Sequence, residues 1–305
     1  MNRSVRSSLS DKISQLVIDI IIILFTLTIL VPCLYILALA FNEGKDAMRG
    51  GIWIWPRVWT LDNFKEVFKD SSFFNGFKIS VARTVLGTLL HLIVTFTMSY
   101  AVVPKDLPGR GLVFKLLTFC MLTGVGTVPT YIVYHSYGLI DTFWVFILPG
   151  LMSITHLMMM RSFLEGIPDS LRESAQLDGC SYFGIMWRIM LPLSKPVIAV
   201  VALYSACGHW NDWFTGAFYT TSKKLWPAQT VLQMLLDRSK AMSELSLEQL
   251  ENMSVEQLQN MVQNTVTSDS LKMAAVIVTT VPILVVYPFI QKYFAQGVIM
   301  GALKG

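Results

Sequence analysis

Hydrophobic and polar positions alternate along this chain in long blocks. Six blocks stay apolar over about 20 residues or more, which is the length that an α-helix needs to cross the hydrocarbon core of a bilayer. They lie at residues 15–41, 76–103, 111–135, 142–163, 196–216 and 271–293. The pattern therefore predicts an all-α, polytopic membrane protein with six transmembrane helices.

Prolines and glycines inside these blocks predict irregular helices. Pro32 predicts a kink in the first helix, and Pro282 and Pro288 predict a bent last helix. The third block contains the closely spaced run Gly124–Pro129. Two interpretations of this run stay open, namely a broken helix that lines a cavity and close packing of small residues against a partner helix.

The polar stretches between the blocks predict the remaining organisation. Residues 42–75, rich in Trp and Gly, predict an ordered external loop that lies partly at the membrane interface. An external insertion at 235–270 holds a short repeat, SLEQLENM followed by SVEQLQNM. Each copy opens with an S-x-x-Q capping box, which predicts two short helices. The other segments are an N-terminal tail at 1–14, a core of five helices at 76–293, a loop within it at 164–195, and a C-terminal tail at 294–305.

Charge predicts the orientation of the chain. Only 14% of its residues are charged and 53% are hydrophobic, with a net charge of +4, whereas soluble domains carry about 25% charged residues. The loop PKDLPGRG and the N-terminal tail hold Lys and Arg, and the opposite short loop YHSYGLID holds neither. Positive charge favours the cytoplasm, so both termini and the 164–195 loop are predicted there, in a multi-pass protein of the cell membrane. No nucleic-acid partner is expected.

Common catalytic and metal-binding signatures are absent from the sequence. The 4 cysteines lie far apart, which disfavours a disulfide or a metal site. His91 and His156 have no paired ligands and are predicted to be packing residues. No G-x-x-x-x-G-K-[ST], H-E-x-x-H or G-x-S-x-G motif occurs. We therefore expect no catalytic site, metal or cofactor on this chain.

The stretch ESAQLDGCSYFGIMWRIMLP interrupts the apolar blocks with a predicted pair of short helices. Ser170 could cap the first helix, with Glu173 reaching back to it, and Gly179 could end that helix in the left-handed conformation. Ser181 would begin a second helix that Pro192 ends. Spacing and caps alone favour an ordinary amphipathic loop helix, as many membrane proteins have, over a more specific function for this stretch.

The same stretch resembles the EAA-x3-G-x9-I-x-LP signature of ABC importer permeases. The matching residues are Glu173, Ala175, Gly179, Ile189, Leu191 and Pro192, with Ser174 where the family favours a second alanine. The resemblance implies the type I ABC importer permease fold, in which this stretch is a cytoplasmic coupling helix that docks into an ATPase subunit. The residues that it assigns to coupling are Arg172, Glu173, Ser174, Ala175, Asp178, Gly179, Ile189 and Pro192.

The resemblance extends to other parts of the chain. The tail QKYFAQGVIMGALKG is similar to that of maltose-type carbohydrate-uptake permeases, and it implies that Gln296, Gly297, Gly301 and Lys304 reach the ATPase. HWNDWFTG is similar to the W-N-[ED] element of that group. The long insertion is similar to the oligosaccharide subgroup named after a lipoprotein-associated permease.

The end of the fifth block also suggests a sugar path. Its polar and aromatic residues could form a belt at the membrane surface or could line a path for sugar. Two weaker candidates come from the third block. The path candidates are Tyr204, His209, Trp210, Asn211, Asp212, Trp213, Thr130 and Tyr131.

The resemblance implies a permease subunit of an ATP-driven ABC importer for oligosaccharides. An extracellular or lipid-anchored solute-binding protein would deliver the sugar. A second, homologous permease would complete a heterodimer in the membrane lipid, and two ATPase subunits would bind ATP and Mg. An ATPase-independent secondary transporter and an ABC permease for a non-sugar solute are the alternatives. The former predicts ionisable residues within several spans, for which Asp19 and Asp212, near helix ends, give little support.

Overall fold

The computed structural model of this chain describes residues 9–69, 71–104, 106–243 and 267–302, and within these ranges the chain is helical. The one β-bridge among them pairs Asn42 with Trp59. The chain forms two compact units, Met1–Asp70 with Leu235–Val278 and Ser71–Met234 with Thr279–Gly305. The expectation of an all-α protein is thereby confirmed.

The first unit opens with helix α1, Leu9–Ala40. Every residue from 12 to 33 is exposed, and most are apolar, as expected of a helix that contacts lipid. The helix continues through Pro32, which lies inside it.

A short, ordered segment follows α1 in the same unit. It contains α2, Gly44–Ala47, and α3, Asp62–Lys69. Asp46 holds this segment together, because its carboxylate accepts hydrogen bonds from the Asn42 side-chain amide at 3.1 Å and from the Arg57 guanidinium at 3.0 Å. The Asn42 hydrogen bond, helped by Arg57, lowers the pKa of Asp46.

The second unit is built on a long helix, α4, Ser71–Ala101. Its inward face is mostly polar or small. The buried residues recur mainly at every third or fourth position and are Phe73, Gly76, Ser80, Arg83, Gly87, His91, Thr95, Phe96 and Ser99. Its outward face carries large apolar side chains such as Val85 and Leu89. Small and polar residues between helices with apolar residues outside are typical of a membrane bundle.

Three of the predicted spans include helices that belong to bent pairs. The third comprises α5, Arg110–Leu122, and α6, Thr127–Ser136, at 116° to each other. The Gly124–Pro129 run is therefore a broken helix, one of the two open interpretations. The fifth predicted span, 196–216, covers only the second helix of a bent pair, because Lys195–Asn211 follows Tyr182–Leu193 at an angle of 80°.

The fourth predicted span is helical only in its second half. It begins with two 3₁₀ turns, Phe143–Phe146 and Leu148–Gly150, and α7 runs from Ile154 to Leu164 at 44° to them. The expectation of one helix over 142–163 was therefore wrong, because Pro149 and Gly150 fall in its middle and disfavour α-helix.

The remaining helices complete the described part of the chain. They are α8, Asp169–Leu177; α9, Tyr182–Ile185; α10, Leu191–Leu193; α11, Lys195–Asn211; α12, Phe214–Tyr219; α13, Ala228–Ser243; and α14, Ser268–Ala302. Both prolines of the last block lie inside α14. The repeat at 246–261 lies outside the described residues.

By length and composition, three helices can span a membrane, at Lys12–Ala40, Ser71–Ala101 and Asp269–Val286. The number rises to six if each bent pair forms one span. The six predicted spans correspond to this upper count. Helices α4, α7 and α11 pack around a common apolar core that includes Phe96, Met160, Leu164 and Val201.

Candidate functional site

The segment that resembles a coupling helix forms a short helix, α8, that begins directly after Pro168. No side chain caps its N-terminus, so the predicted cap by Ser170 is wrong. Ser170 lies in the first turn instead, because Pro168 in an extended conformation already marks the boundary. Asp169 and Arg172 form an ion pair of 2.5 Å along the helix.

The C-terminus of α8 is ended by Gly179, as the sequence predicts. Gly179 has φ +80, and Cys180 and Gly179 donate backbone hydrogen bonds to the carbonyls of Ala175 at 2.9 Å and Gln176 at 3.0 Å. This pair of bonds is a Schellman motif, which needs a left-handed residue at the glycine position. The helix therefore has a sharply defined end.

A second helical segment follows immediately. Ser181 Oγ accepts a hydrogen bond from the Gly184 amide at 3.2 Å, so it caps α9 as predicted. A π-helical turn, Met186–Met190, leads into α10. The run does not end at Pro192, because this residue lies in the first turn of α10, where its missing N–H costs no hydrogen bond. The bend falls at Ser194.

The two faces of α8 have different surroundings. Ala175 is 7% exposed and packs against Ile185, Met186 and Met190 of this same chain. It therefore holds α8 in place and is not the open surface for a partner that the sequence suggested. Of the other assigned residues, Ile189 is partly buried in this core and Arg172 is half-buried, whereas Glu173, Ser174, Asp178, Gly179 and Pro192 are exposed.

One exposed residue of this segment was missed from the sequence. Leu177 is 89% exposed, although it is a large apolar residue on an otherwise polar helix face. An apolar residue on the polar side of an amphipathic helix is a signal that the pattern of α8 contained. Leu177 adds an apolar contact point to the exposed face that carries Glu173 and Ser174.

A cleft of about 610 Å³ lies beside α8. Its walls come from the end of α4, the following loop, α8 and the second helical segment, and they include Tyr100, Asp106, Arg172, Glu173, Gln176 and Tyr182. The cleft can receive side chains of a docking protein, and two carboxylates favour a basic side chain.

A buried ion pair joins α4 to the end of α11. Arg83 Nη2 donates to Asp212 Oδ2 at 2.6 Å and Arg83 Nη1 donates to the Asp212 carbonyl at 3.0 Å. The Arg83 side chain is 1% exposed, and Asp212 is 30% exposed. Asp212 Oδ1 also accepts from the Thr215 amide at 3.0 Å at the start of α12. Asp212 therefore links three helices.

The histidines predicted to be packing residues do pack, and they contact each other. His91 Nε2 lies 2.8 Å from His156 Nδ1, and His91 Nδ1 lies 2.9 Å from the Gly150 carbonyl. The ring of His209 lies next to Gly87 and Gly150. Among the described residues, no group of three or more His, Cys, Asp and Glu side chains could hold a metal ion.

Gly87→Ala is expected to strain this histidine packing. A Cβ at position 87 would lie 2.5–2.9 Å from the Nε2, Cε1 and Cδ2 atoms of His209. Overpacking of this kind typically costs about 1–3 kcal/mol. Gly208→Ala is the matched control, because nothing lies within 4 Å of its Cβ position. The free energy of unfolding of the detergent-solubilised protein should be lower for Gly87→Ala than for the control. Adding His209→Ala to Gly87→Ala should restore part of that loss, because it removes the ring that clashes. Equal stability of the two alanine variants would contradict the clash.

The sugar-path candidates divide into buried and exposed residues. Trp210 is 7% exposed and donates from its indole to the Thr279 carbonyl at 2.9 Å. It is therefore a packing residue and not part of a path. Thr130 donates to the Gly126 carbonyl at 2.9 Å within its own helix. The candidates with exposed side chains are Tyr131, Tyr204, Asn211 and Trp213.

The break between α5 and α6 leaves exposed backbone. Residues 120–129 are all exposed. The amides of Gly124, Val125 and Gly126 form no hydrogen bond with any described residue. Unpaired backbone groups are not stable against lipid, but they are tolerated against protein or a water-filled cavity.

The residues assigned to the C-terminal tail are covered only in part. Gln296, Gly297 and Gly301 lie on the last turns of α14, where the side chains are outside the described residues. Lys304 lies beyond the described chain.

Comparisons with known proteins agree over nearly the whole chain. Residues 3–300 match the model of a family described as "Binding-protein-dependent transport system inner membrane component". Protein LplC of Bacillus subtilis (strain 168) is 40% identical over 295 residues, which cover 95% of each chain. The polygalacturonan/rhamnogalacturonan transport system permease protein YtcP of the same organism is 32% identical, over 97% of this chain and 100% of the other.

A solved structure supports the same fold. It is the crystal structure of a bacterial ABC transporter involved in the import of the acidic polysaccharide alginate. One of its chains matches with a TM-score of 0.83 and 25% identity, covering 94% of this chain and 99% of that chain.

Proposed function

Since this chain belongs to the family of binding-protein-dependent transport system inner membrane components, we propose that it is the permease subunit of an ATP-driven importer that takes up oligosaccharides. The observation that carries the proposal is the match over residues 3–300, which includes the coupling segment. The names of YtcP and of the alginate transporter refer to polysaccharides, and they support a sugar substrate. A transport subunit of this kind carries no catalytic site, so ATP and Mg bind to partner ATPase subunits.

The ATPase binds to the exposed face of α8. Glu173, Ser174, Asp178 and Leu177 are exposed there, and Glu173 also lines the adjacent cleft. Binding of ATP closes the two ATPase subunits and moves α8. Because Ala175 anchors α8 in the core around α7 and α11, this movement reaches the membrane helices as a rigid-body motion. The cavity then opens outward, and hydrolysis returns it to the inward-facing state.

A second, homologous permease covers the break between α5 and α6. The unpaired amides at 124–126 need protein or water around them. A heterodimer in which these two helices border a shared cavity meets this need, and the exposed Tyr131 then faces the cavity. Tyr204, Asn211 and Trp213 complete the lining that this chain contributes.

The proposed orientation follows the distribution of Lys and Arg in short loops. Both termini, the coupling loop at 164–195 and the tail at 294–305 lie in the cytoplasm, where the tail also reaches the ATPase. The segment at 42–75 and the insertion at 235–270 lie outside the cell membrane. A solute-binding protein therefore delivers sugar from that side.

Reconstitution tests this proposal directly. The chain is expressed with a candidate homologous permease, a candidate solute-binding protein and candidate ATPases from the same genome, and the complex is purified through a tag on this chain. An ATPase should co-purify, and its activity should rise when the binding protein is loaded with a fragment from a panel of galacturonate, alginate and neutral oligosaccharides. Uptake that needs no ATPase, or stimulation only by a non-sugar solute, would contradict the proposal.

A further inference from the structure

His156 has one ring nitrogen whose hydrogen-bonding capacity no described residue uses. Its Nδ1 contacts His91, whereas its Nε2 forms no hydrogen bond within the described part of the chain. This Nε2 atom is not buried, so a ligand or water can reach it. A polar atom that is open within a membrane bundle needs protein, water or a ligand as its partner, because lipid provides none.

The hydrogen-bond chain determines what kind of partner this is. The Gly150 carbonyl can only accept, so His91 Nδ1 carries the proton of their 2.9 Å hydrogen bond. A neutral His91 then has its lone pair on Nε2, and the 2.8 Å contact requires a proton on His156 Nδ1. A neutral His156 consequently has a lone pair on Nε2. The open nitrogen is an acceptor, and it needs a donor such as a hydroxyl group.

The hydrogen-bond pattern described above is that of two neutral imidazoles. Neither His91 nor His156 forms an ion pair with a carboxylate among the described residues. A charged imidazole within the bundle would therefore lack a counter-ion and would carry a large desolvation cost.

The surroundings of His156 favour a sugar as the donor. The rings of His156 and Tyr204 stack with centroids 6.0 Å apart and an angle of 23° between their planes, and Tyr204 is 48% exposed. Gly208 and Asn211 are exposed on the same face of α11, and the Cβ position of Gly208 has no neighbour within 4 Å. An aromatic ring, open space and an amide in one row suit a sugar ring, which has apolar C–H groups on its faces and hydroxyls at its edge.

We infer that His156 Nε2 accepts a hydrogen bond from a hydroxyl group of the transported sugar, while Tyr204 packs against the C–H face of the same sugar ring. This inference rests on the proposed function and makes this subunit a direct contributor to sugar recognition. His91 and Gly150 are positioning residues, because their hydrogen bond sets the tautomer of His156.

His156→Asn tests the hydrogen bond with little change in packing. The asparagine amide can keep a donor facing His91, but it places no atom at the Nε2 position. The measurement uses the whole importer in liposomes, at saturating sugar-loaded binding protein, with the panel member that the wild type takes up. Loss of one hydrogen bond to a hydroxyl should lower the sugar transported per ATP hydrolysed by about fivefold to tenfold. The Tm should stay at its wild-type value.

Tyr204 variants provide the matched comparison. Tyr204→Phe retains the ring and should keep most of the transport per ATP, whereas Tyr204→Ala should lose it. An unchanged ratio in His156→Asn would overturn the inference, and so would a loss that accompanies a lower Tm. If His156→Asn instead releases the partner permease, the donor is that partner, and the inference is wrong. Failure of the wild-type importer to take up any panel member would overturn the proposed function and this inference together.

Discussion

Replacing Arg83 by methionine is expected to destabilise the protein by about 3–5 kcal/mol. Removal of one partner from a buried ion pair leaves the other charge without compensation, and such changes typically cost this amount. Arg83 is 1% exposed, and it donates two hydrogen bonds to Asp212. The loss should fall toward the lower end, because Asp212 retains 30% exposure and water can reach it. Unfolding of the purified protein in detergent, followed by intrinsic fluorescence, gives the measurement.

Two further variants separate charge from packing. Lys78→Met removes a cation from the same helix, where Lys78 lies over the ring of Phe74 at 4.6 Å, and we expect a change below about 0.5 kcal/mol. Arg83→Met combined with Asp212→Asn removes both charges and keeps an acceptor for the Thr215 amide. The double variant should recover most of the loss. If Arg83→Met is as mild as Lys78→Met, the ion pair does not stabilise the bundle.

Glu173→Lys is expected to reduce sugar uptake at least tenfold by weakening the contact with the ATPase. Glu173 is exposed on α8 and lines the cleft that Asp106 also borders. Reversal of its charge would place a cation where the cleft favours a basic partner side chain, and loss of one partner of such a pair costs about 2–5 kcal/mol. The amount of ATPase that co-purifies with the chain, and the uptake by cells, should fall together.

Folding of the variant chain itself should be unaffected, because Glu173 forms no ion pair with a described residue. The Tm of the isolated subunit checks this point. Glu66→Lys is the control, since Glu66 is an exposed acidic residue on α3, where it pairs with Lys69. The coupling role of α8 would be wrong if Glu173→Lys kept its ATPase and its uptake.

The positions of the spans could be predicted from the sequence because the length and apolarity of a segment are local properties. The break at 123–126 could be predicted for the same reason, since glycines weaken a helix wherever they occur. Its angle of 116° was not, because direction depends on neighbouring helices. The 3₁₀ turns before α7 were missed although Pro149 stands in that block, because apolar composition outweighed the proline in the prediction.

The candidate site was predictable where the chemistry lies within a few residues. The left-handed Gly179 and the cap at Ser181 follow from neighbouring positions alone. Arg83 and Asp212 are 129 residues apart in the chain, so no local pattern connects them. An arginine inside an apolar block was nevertheless a signal in its own right, and it could have identified Arg83. The contact between His91 and His156, 65 residues apart, has no such signal.

The 80° bend at Ser194 joins two helical segments into an L-shaped unit. One arm, Tyr182–Leu193, is about 18 Å long, and the other, Lys195–Asn211, is about 26 Å long at 1.5 Å per residue. Ser194 is fully buried where the two segments meet, so the two segments can rotate together about this position. In the proposed importer, the ATPase moves α8, and α8 passes the movement to the short arm through the core that Ala175 shares with Ile185 and Met186. A sideways swing of the long arm would follow, enlarged by roughly 1.4 from the ratio of the two lengths. The far end of that arm carries Asn211, next to the ion pair between Arg83 and Asp212, so a small movement of the short arm would be delivered beside that ion pair.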